Sequence, residues 1–258
     1  EVQCAPFEPW GGRDGKLRIV NGAPDAAAHC PQGVVFSTLQ GALETEGLER
    51  GSVIMIAEGE HEACDLRIPT GVELRSVAGA QETTIVPSSP ECENLLVMQP
   101  GATLQGVALG CGDIGPACDG LTLVKTESQE GLEGERTTLR YNVFIGGKHG
   151  VQIGHGSTLR YNPFFDATAA AVTVDDAAVE NSHEGEESAL LLSDGLLWGS
   201  PIGISGSPER RALAFNNVYI KTTNPTKYFE DPSPTASGEA LVSGATFDEA
   251  LYIANEDV

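Results

Sequence analysis

Three arginines and a glutamine stand one place after a leucine in this chain: Arg75, Gln105, Arg140 and Arg160 follow Leu74, Leu104, Leu139 and Leu159. In a strand whose leucines point inward, the next residue points outward, so the four side chains share one face. A guanidinium binds a carboxylate or sulfate through two parallel hydrogen bonds. Only 15 residues of the chain are Lys or Arg, so such a line is a candidate contact for an anionic polysaccharide. The plainer alternative is that these arginines pair with Glu73 and with acidic loops on the same surface.

The elements that must position this line announce themselves through a repeat. Thr138-Leu139-Arg140-Tyr141-Asn142 recurs twenty residues later as Thr158-Leu159-Arg160-Tyr161-Asn162, with Phe144 matching Phe164 and Ile145 matching Phe165. A unit this short is no helical repeat; it fits one turn of a coiled β-sheet that buries its apolar face only by stacking on the next. Coils are placed by the leucine that opens each first strand: Leu74, Leu104, Leu139, Leu159, about Leu191, and Leu213, with spacings of 30, 35, 20, 32 and 22. The uneven spacings put insertions in loops. Asn142, Asn162 and Asn217, with Gly106 and Gly195, are assigned to the following turn, since Asn and Gly tolerate left-handed backbone. Second strands follow at 107–109, 143–145, 163–165, 196–198 and 218–220, and third strands at 121–124, 151–153, 172–174 and 202–204.

The first 33 residues, rich in Pro and Gly, read as an irregular extension; residues 34–220 as the stacked coils; residues 221–258, where the period is lost, as a loop and cap. A short helix capped by Ser37 and running to Leu48, with Leu39, Ala42 and Leu43 on one face, is expected to cover the open end of the stack.

Composition narrows the partners. The net charge is −22 over 258 residues, which repels nucleic acid and anionic membranes. No apolar run is long enough to span a bilayer. The six cysteines read as three disulfides, Cys4–Cys30, Cys64–Cys92 and Cys111–Cys118, and so as an oxidising compartment. Zinc is not expected, because no Cys-x-x-Cys occurs and His and Cys do not cluster. The chain starts at Glu1 without a leader and is expected to be a mature exported product, extracellular or periplasmic. No cofactor is expected. The acidic stretches 127–135 and 175–188 offer oxygen ligands of the kind Ca2+ takes, against the plainer reading of solvated loops.

The segments Phe36–Glu44, Val53–Gly59 and Ile68–Leu74 resemble the opening coil of the right-handed parallel β-helix superfamily typified by pectate lyases, a likeness that extends over about residues 34–220. The resemblance implies an all-β solenoid with a short N-terminal capping helix. It leaves activity open, because the superfamily holds lyases, hydrolases, esterases, tailspikes and non-catalytic proteins. Its carbohydrate-active members use the outward face of the first strand, where Arg75, Gln105, Arg140 and Arg160 fall. Gly154-His155-Gly156 and Asp175-Asp176 resemble short motifs of polygalacturonases, in reversed order and without that family's other two motifs. They make His155, Asp175 and Asp176, together with Arg140 and Arg160, the catalytic candidates. The plainer reading of His155 is a histidine in a Gly-rich turn, and Lys148-His149 is a further polar spot with no evident partner. Pectate lyases pair a basic residue with calcium-binding carboxylates; Arg140 or Arg160 suits the first role, but no Asp cluster falls on the same strand positions. The leading expectation is an exported binding or structural module on a cell surface or polysaccharide, without catalysis. The alternatives are a lyase or hydrolase of an acidic glycan and a self-associating subunit of an extracellular fibre.

Overall fold

The computed structural model describes residues 17–20, 34–44, 46–111, 118, 120–127, 136–154, 157–174, 190–200, 202–205, 212–215, 218–220, 224–227, 236–237 and 240–242. Within these, strands form three sheets of ten, eight and seven members, and beyond the first coil each sheet takes every third strand along the chain. All pairings across the repeated coils are parallel. The architecture is a right-handed parallel β-helix with a short helix near its N-terminal end.

Three ladders of apolar side chains fill the interior. In the first sheet, Ile54, Leu74, Leu104, Leu139 and Leu159 lie in register and are fully buried. In the second, Ile85, Leu109, Phe144, Phe164 and Leu197 do the same, and the Phe144 and Phe164 rings stack 4.6 Å apart. In the third, Leu66, Leu96, Val124, Val151 and Val172 are aligned. Like sits on like because strands spaced about 4.8 Å apart carry equivalent residues at the contact distance of packed side chains.

The expected leucine series is correct through Leu159 and one place off beyond it. Leu159 aligns with Leu192, not Leu191, and Leu192 aligns with Ala214, so Leu191 and Leu213 fall in the neighbouring row. Leu190-Leu191-Leu192 and Ala212-Leu213-Ala214 are unbroken apolar runs, in which alternation cannot choose the inward residue. The ladder also reaches past the expected coil limits. Leu17–Val20 is a strand pairing with both Val34–Phe36 and Val53–Ile56. Ala236–Ser237 and Ala240–Val242 extend the first and second sheets.

The helix spans Leu39–Glu44 and buries Leu39, Ala42 and Leu43. Its cap is Thr38 rather than Ser37: Thr38 Oγ1 accepts the Gly41 N–H at 3.1 Å, three residues into the helix as a cap requires. The other end is held by the buried Arg18. Its guanidinium donates to the carbonyls of Ala42 and Glu46 and lies 5.4 Å from the Phe36 ring centroid. A cation here satisfies carbonyls that the end of a helix leaves open.

Two of the expected disulfides are present, Cys64–Cys92 and Cys111–Cys118, with Cα separations of 5.3 and 5.7 Å. Cys4, Cys30 and Asn217 lie outside the described residues.

The bend between the first and second sheets is built on Asn142 and Asn162, both wholly buried. Asn142 Oδ1 accepts the Val107 N–H at 3.2 Å, and its Nδ2 donates to Leu104 O at 3.0 Å. Asn162 Oδ1 accepts the Asn142 N–H at 3.0 Å and the Asn142 Nδ2 at 3.2 Å, while its own Nδ2 donates to Leu139 O at 2.9 Å. Asn142→Ala strips partners from a buried amide and a buried carbonyl, so it is expected to lower unfolding stability by roughly 3 kcal/mol. A urea titration measures this, and a loss no larger than that of an exposed control such as Glu91→Ala would contradict it.

Candidate binding face

The outward row of the first sheet is the arginine line. Arg75 aligns with Gln105, Gln105 with Arg140, and Arg140 with Arg160; Met55 precedes the line and Ser193 follows it. A parallel outward row two residues earlier holds Glu73, Thr103, Thr138 and Thr158.

Within this surface the cations are paired. Glu73 forms an ion pair with Arg75 and lies 4.0 Å from Arg140 Nη2. Arg140 Nε donates to Gln105 Oε1 at 2.8 Å, and Arg160 Nε donates to Asp194 Oδ2 at 3.4 Å. The pairing with Glu73 that the sequence offered as the plainer alternative is therefore present. It does not use up the strip. The Arg140 and Arg160 side chains are 42% and 56% exposed, against 16% for Arg75. Exposed ion pairs contribute little, on the order of 0–1 kcal/mol, so a ligand anion can compete for these guanidinium groups. The neighbouring Tyr161, and then the hydrogen bond to Asp194, raise the Arg160 pKa further. Arg75 is the candidate of the set most taken up by the protein itself.

The tyrosines that follow Arg140 and Arg160 lie outside the candidate line, and they change the face. Tyr141 and Tyr161 take φ of 58° and 56°, in the left-handed region. The corresponding places on the flanking coils are Gly106, at φ 70°, and Asp194, at φ 56°. The sequence pattern places the left-handed turn at Asn142, Asn162 and Asn217, with Gly106 and Gly195, of which Asn217 lies outside the described residues. Gly106 does take it; on the other coils it belongs to the residue before the Asn or Gly. The asparagine side chain instead turns inward to satisfy the corner. The repeat did carry the signal, since a tyrosine stood at the same place in both copies, next to an outward arginine.

The two tyrosine rings stack with centroids 5.1 Å apart and planes within 5°. They are 53% and 38% exposed. The Arg160 guanidinium lies 5.0 Å from the Tyr161 centroid, within cation–π range. Left-handed backbone costs an L-residue roughly 1–2 kcal/mol, which glycine avoids. Bulky aromatic residues are thus kept at a strained corner, where their rings face solvent. Tyr141→Gly is expected to leave the unfolding free energy within about 1 kcal/mol of wild type, since relief of strain offsets the lost ring stack. Thermal denaturation measures this; a loss of several kcal/mol would make the tyrosine a structural residue instead.

His155, Asp175 and Asp176 lie outside the described residues, as do most of the acidic stretches 127–135 and 175–188. Among the described residues, no three His, Cys, Asp or Glu side chains gather closely enough to hold a metal ion, and no helix is long and apolar enough to cross a membrane. His149 does have a partner: its Nδ1 lies 2.9 Å from Thr173 Oγ1 on the next coil. Burial, and then the charge of Lys148, depress the His149 pKa. The unfolded chain therefore takes up this proton first, and the histidine's contribution to stability is lost as pH falls below the usual imidazole range. The stability difference between wild type and His149→Gln is expected to shrink between about pH 7.5 and 5.5. Denaturant midpoints across that range measure it, and a constant difference would refute it.

No family model matches the chain, and no curated protein matches it by sequence. The chain is similar to several solved structures. The catalytic domain of a GH87 α-1,3-glucanase in complex with nigerose is 11% identical, with a TM-score of 0.49 over 80% of this chain and 43% of that one. Pectin methylesterase from Aspergillus niger is 13% identical, with a TM-score of 0.40 over 93% and 94%. Pectin methylesterase PemA from Erwinia chrysanthemi is 10% identical, with a TM-score of 0.42 over 92% of each chain. The chain spans between a third and just over two fifths of the length of the glucanase domains it resembles.

Proposed function

We propose that this protein is an exported binding module that holds an acidic polysaccharide against the outer face of its first sheet. One observation carries the reading. Exposed arginines and exposed, backbone-strained tyrosines occupy the same two rungs, Arg140 with Tyr141 and Arg160 with Tyr161. Sugars present both a hydroxyl-rich edge and an apolar ring face. A surface with guanidinium donors beside flat aromatic rings suits both. Backbone strain at exposed residues is the pattern expected where function, rather than stability, selects the side chain.

Local charge supports an anionic ligand. Arg75, Arg140 and Arg160 face the two carboxylates of Glu73 and Asp194, which leaves the strip cationic on a protein of net charge −22. Repulsion between the whole molecule and a polyanion is screened beyond about 8 Å at physiological ionic strength, so contact chemistry decides. The disulfides Cys64–Cys92 and Cys111–Cys118 support an oxidising, exported location.

The test is a panel of polygalacturonate, alginate and sulfated galactan, read both for binding and for product. Arg140→Ala combined with Arg160→Ala is expected to weaken binding at least roughly tenfold, because each removes a charge-assisted contact. Unchanged affinity for every glycan would refute the assignment. Release of unsaturated or reducing ends would instead favour a lyase or hydrolase working through Arg140 or Arg160 with His155, Asp175 and Asp176.

A further inference from the structure

We propose that this face contains a slot for a single pyranose ring, at the rung of Gly106, with Tyr141 as its aromatic wall. The proposal rests on the polysaccharide-binding reading above and specifies how that site engages a sugar.

The corner position is filled in order by Gly106, Tyr141, Tyr161 and Asp194, all with left-handed backbone. Tyr161 stacks on one face of Tyr141 at 5.1 Å. The opposite face of Tyr141 looks along the stack toward the Gly106 rung, which brings no side chain. A Cβ fits at Gly106 without a clash: it would stand at ordinary contact distance from the preceding coil, 3.8 Å from Ser76 Cβ and 3.9 Å from Gly79 Cα. Tyr141 is also the more exposed of the pair, 53% against 38%, as a ring with an open face should be.

The missing side chain thus leaves a gap one rung wide, about 4.8 Å. It is bounded by an aromatic face on one side and by the coil of Ser76 and Gly79 on the other. One ring layer fits between them. Polar groups stand at its edge: Gln105 immediately precedes Gly106, and Arg140, which donates to Gln105 Oε1 at 2.8 Å, immediately precedes Tyr141. A sugar stacked on Tyr141 would turn its apolar face to the phenol and present its hydroxyl or carboxylate edge to this guanidinium–carboxamide pair. Equatorial glycosidic bonds lie near the plane of the ring, so an equatorially linked chain seated here runs across the solenoid rather than along its axis. The slot therefore selects one residue of the polymer, and the exposed arginines take up the charge of its neighbours.

The decisive variant is Gly106→Tyr. The two following coils already carry tyrosine in this backbone conformation, so a third ring can extend the pile and occupy the slot. Circular dichroism and thermal melting establish that the variant is folded. Calorimetry with oligomannuronate tetramers, whose glycosidic bonds are equatorial, then measures binding. Gly106→Tyr is expected to reduce the affinity of the tetramer that wild type binds by roughly tenfold. Unaltered affinity in a folded Gly106→Tyr protein would overturn the slot. Tyr141→Leu and Tyr141→Phe test it separately, should Gly106→Tyr fail to fold. Loss with leucine and retention with phenylalanine support stacking, whereas equal affinity for all three would overturn it. If Arg140→Ala with Arg160→Ala weakens binding while Gly106→Tyr does not, the slot is wrong and the polysaccharide reading stands. If wild type binds neither these tetramers nor any of the polymers, both fall.

Discussion

A parallel strand that bends from one sheet into the next must leave its ladder for a residue or two, and the backbone groups at that corner lose their partners. Here the loss is made good from inside. The buried amides of Asn142 and Asn162 bond the corner N–H groups and the ends of the preceding strands, and they bond each other. Both ends of a carboxamide are used, which few side chains allow. Much else follows from this arrangement. It keeps the Leu139–Leu159 and Phe144–Phe164 ladders in one register on either side of the bend. It also leaves the preceding residue in left-handed backbone, directed to solvent. The stability of the corner and the identity of the surface are two consequences of one hydrogen-bond network.

The surface set up in this way runs against simple stability. Glycine or aspartate would fill the left-handed place at lower cost, and the flanking coils use them, as Gly106 and Asp194. The two best-matched coils use tyrosine instead. Their rings stack because the rung spacing matches the distance at which aromatic faces meet. The arginines beside them are anchored by Gln105, Glu73 and Asp194, which limits how far the guanidinium groups wander while leaving Arg160 exposed and Arg140 partly so. Pre-ordered donors next to a pre-stacked aromatic pair lose less entropy on binding than free side chains would.

The legibility of this chain varied with its loops. Where coils follow at twenty residues, apolar and polar positions superimpose, and Leu139, Arg140, Leu159 and Arg160 could be placed on their faces directly. Past Leu159 a long acidic stretch and a run of three leucines intervene, and the reading slipped by one residue at Leu191 and Leu213. The disulfides Cys64–Cys92 and Cys111–Cys118 were readable because one joins neighbouring coils and the other closes a short loop. The strand Leu17–Val20 was hidden by the Pro and Gly around it.

What the amino-acid sequence determined by itself was the coiled architecture, the inward leucines and the outward line of Arg75, Gln105, Arg140 and Arg160. Strand alternation and a repeat survive intact in one dimension. Only the tertiary structure decided which corner residue is left-handed, that Tyr141 and Tyr161 stack in solvent, and that Glu73 is shared between Arg75 and Arg140. Apart from the Glu73–Arg75 pair, those facts depend on residues that lie twenty or more places apart in the chain and within a few ångströms in space. The register that brings them together comes from hydrogen bonds between coils, which no local pattern encodes.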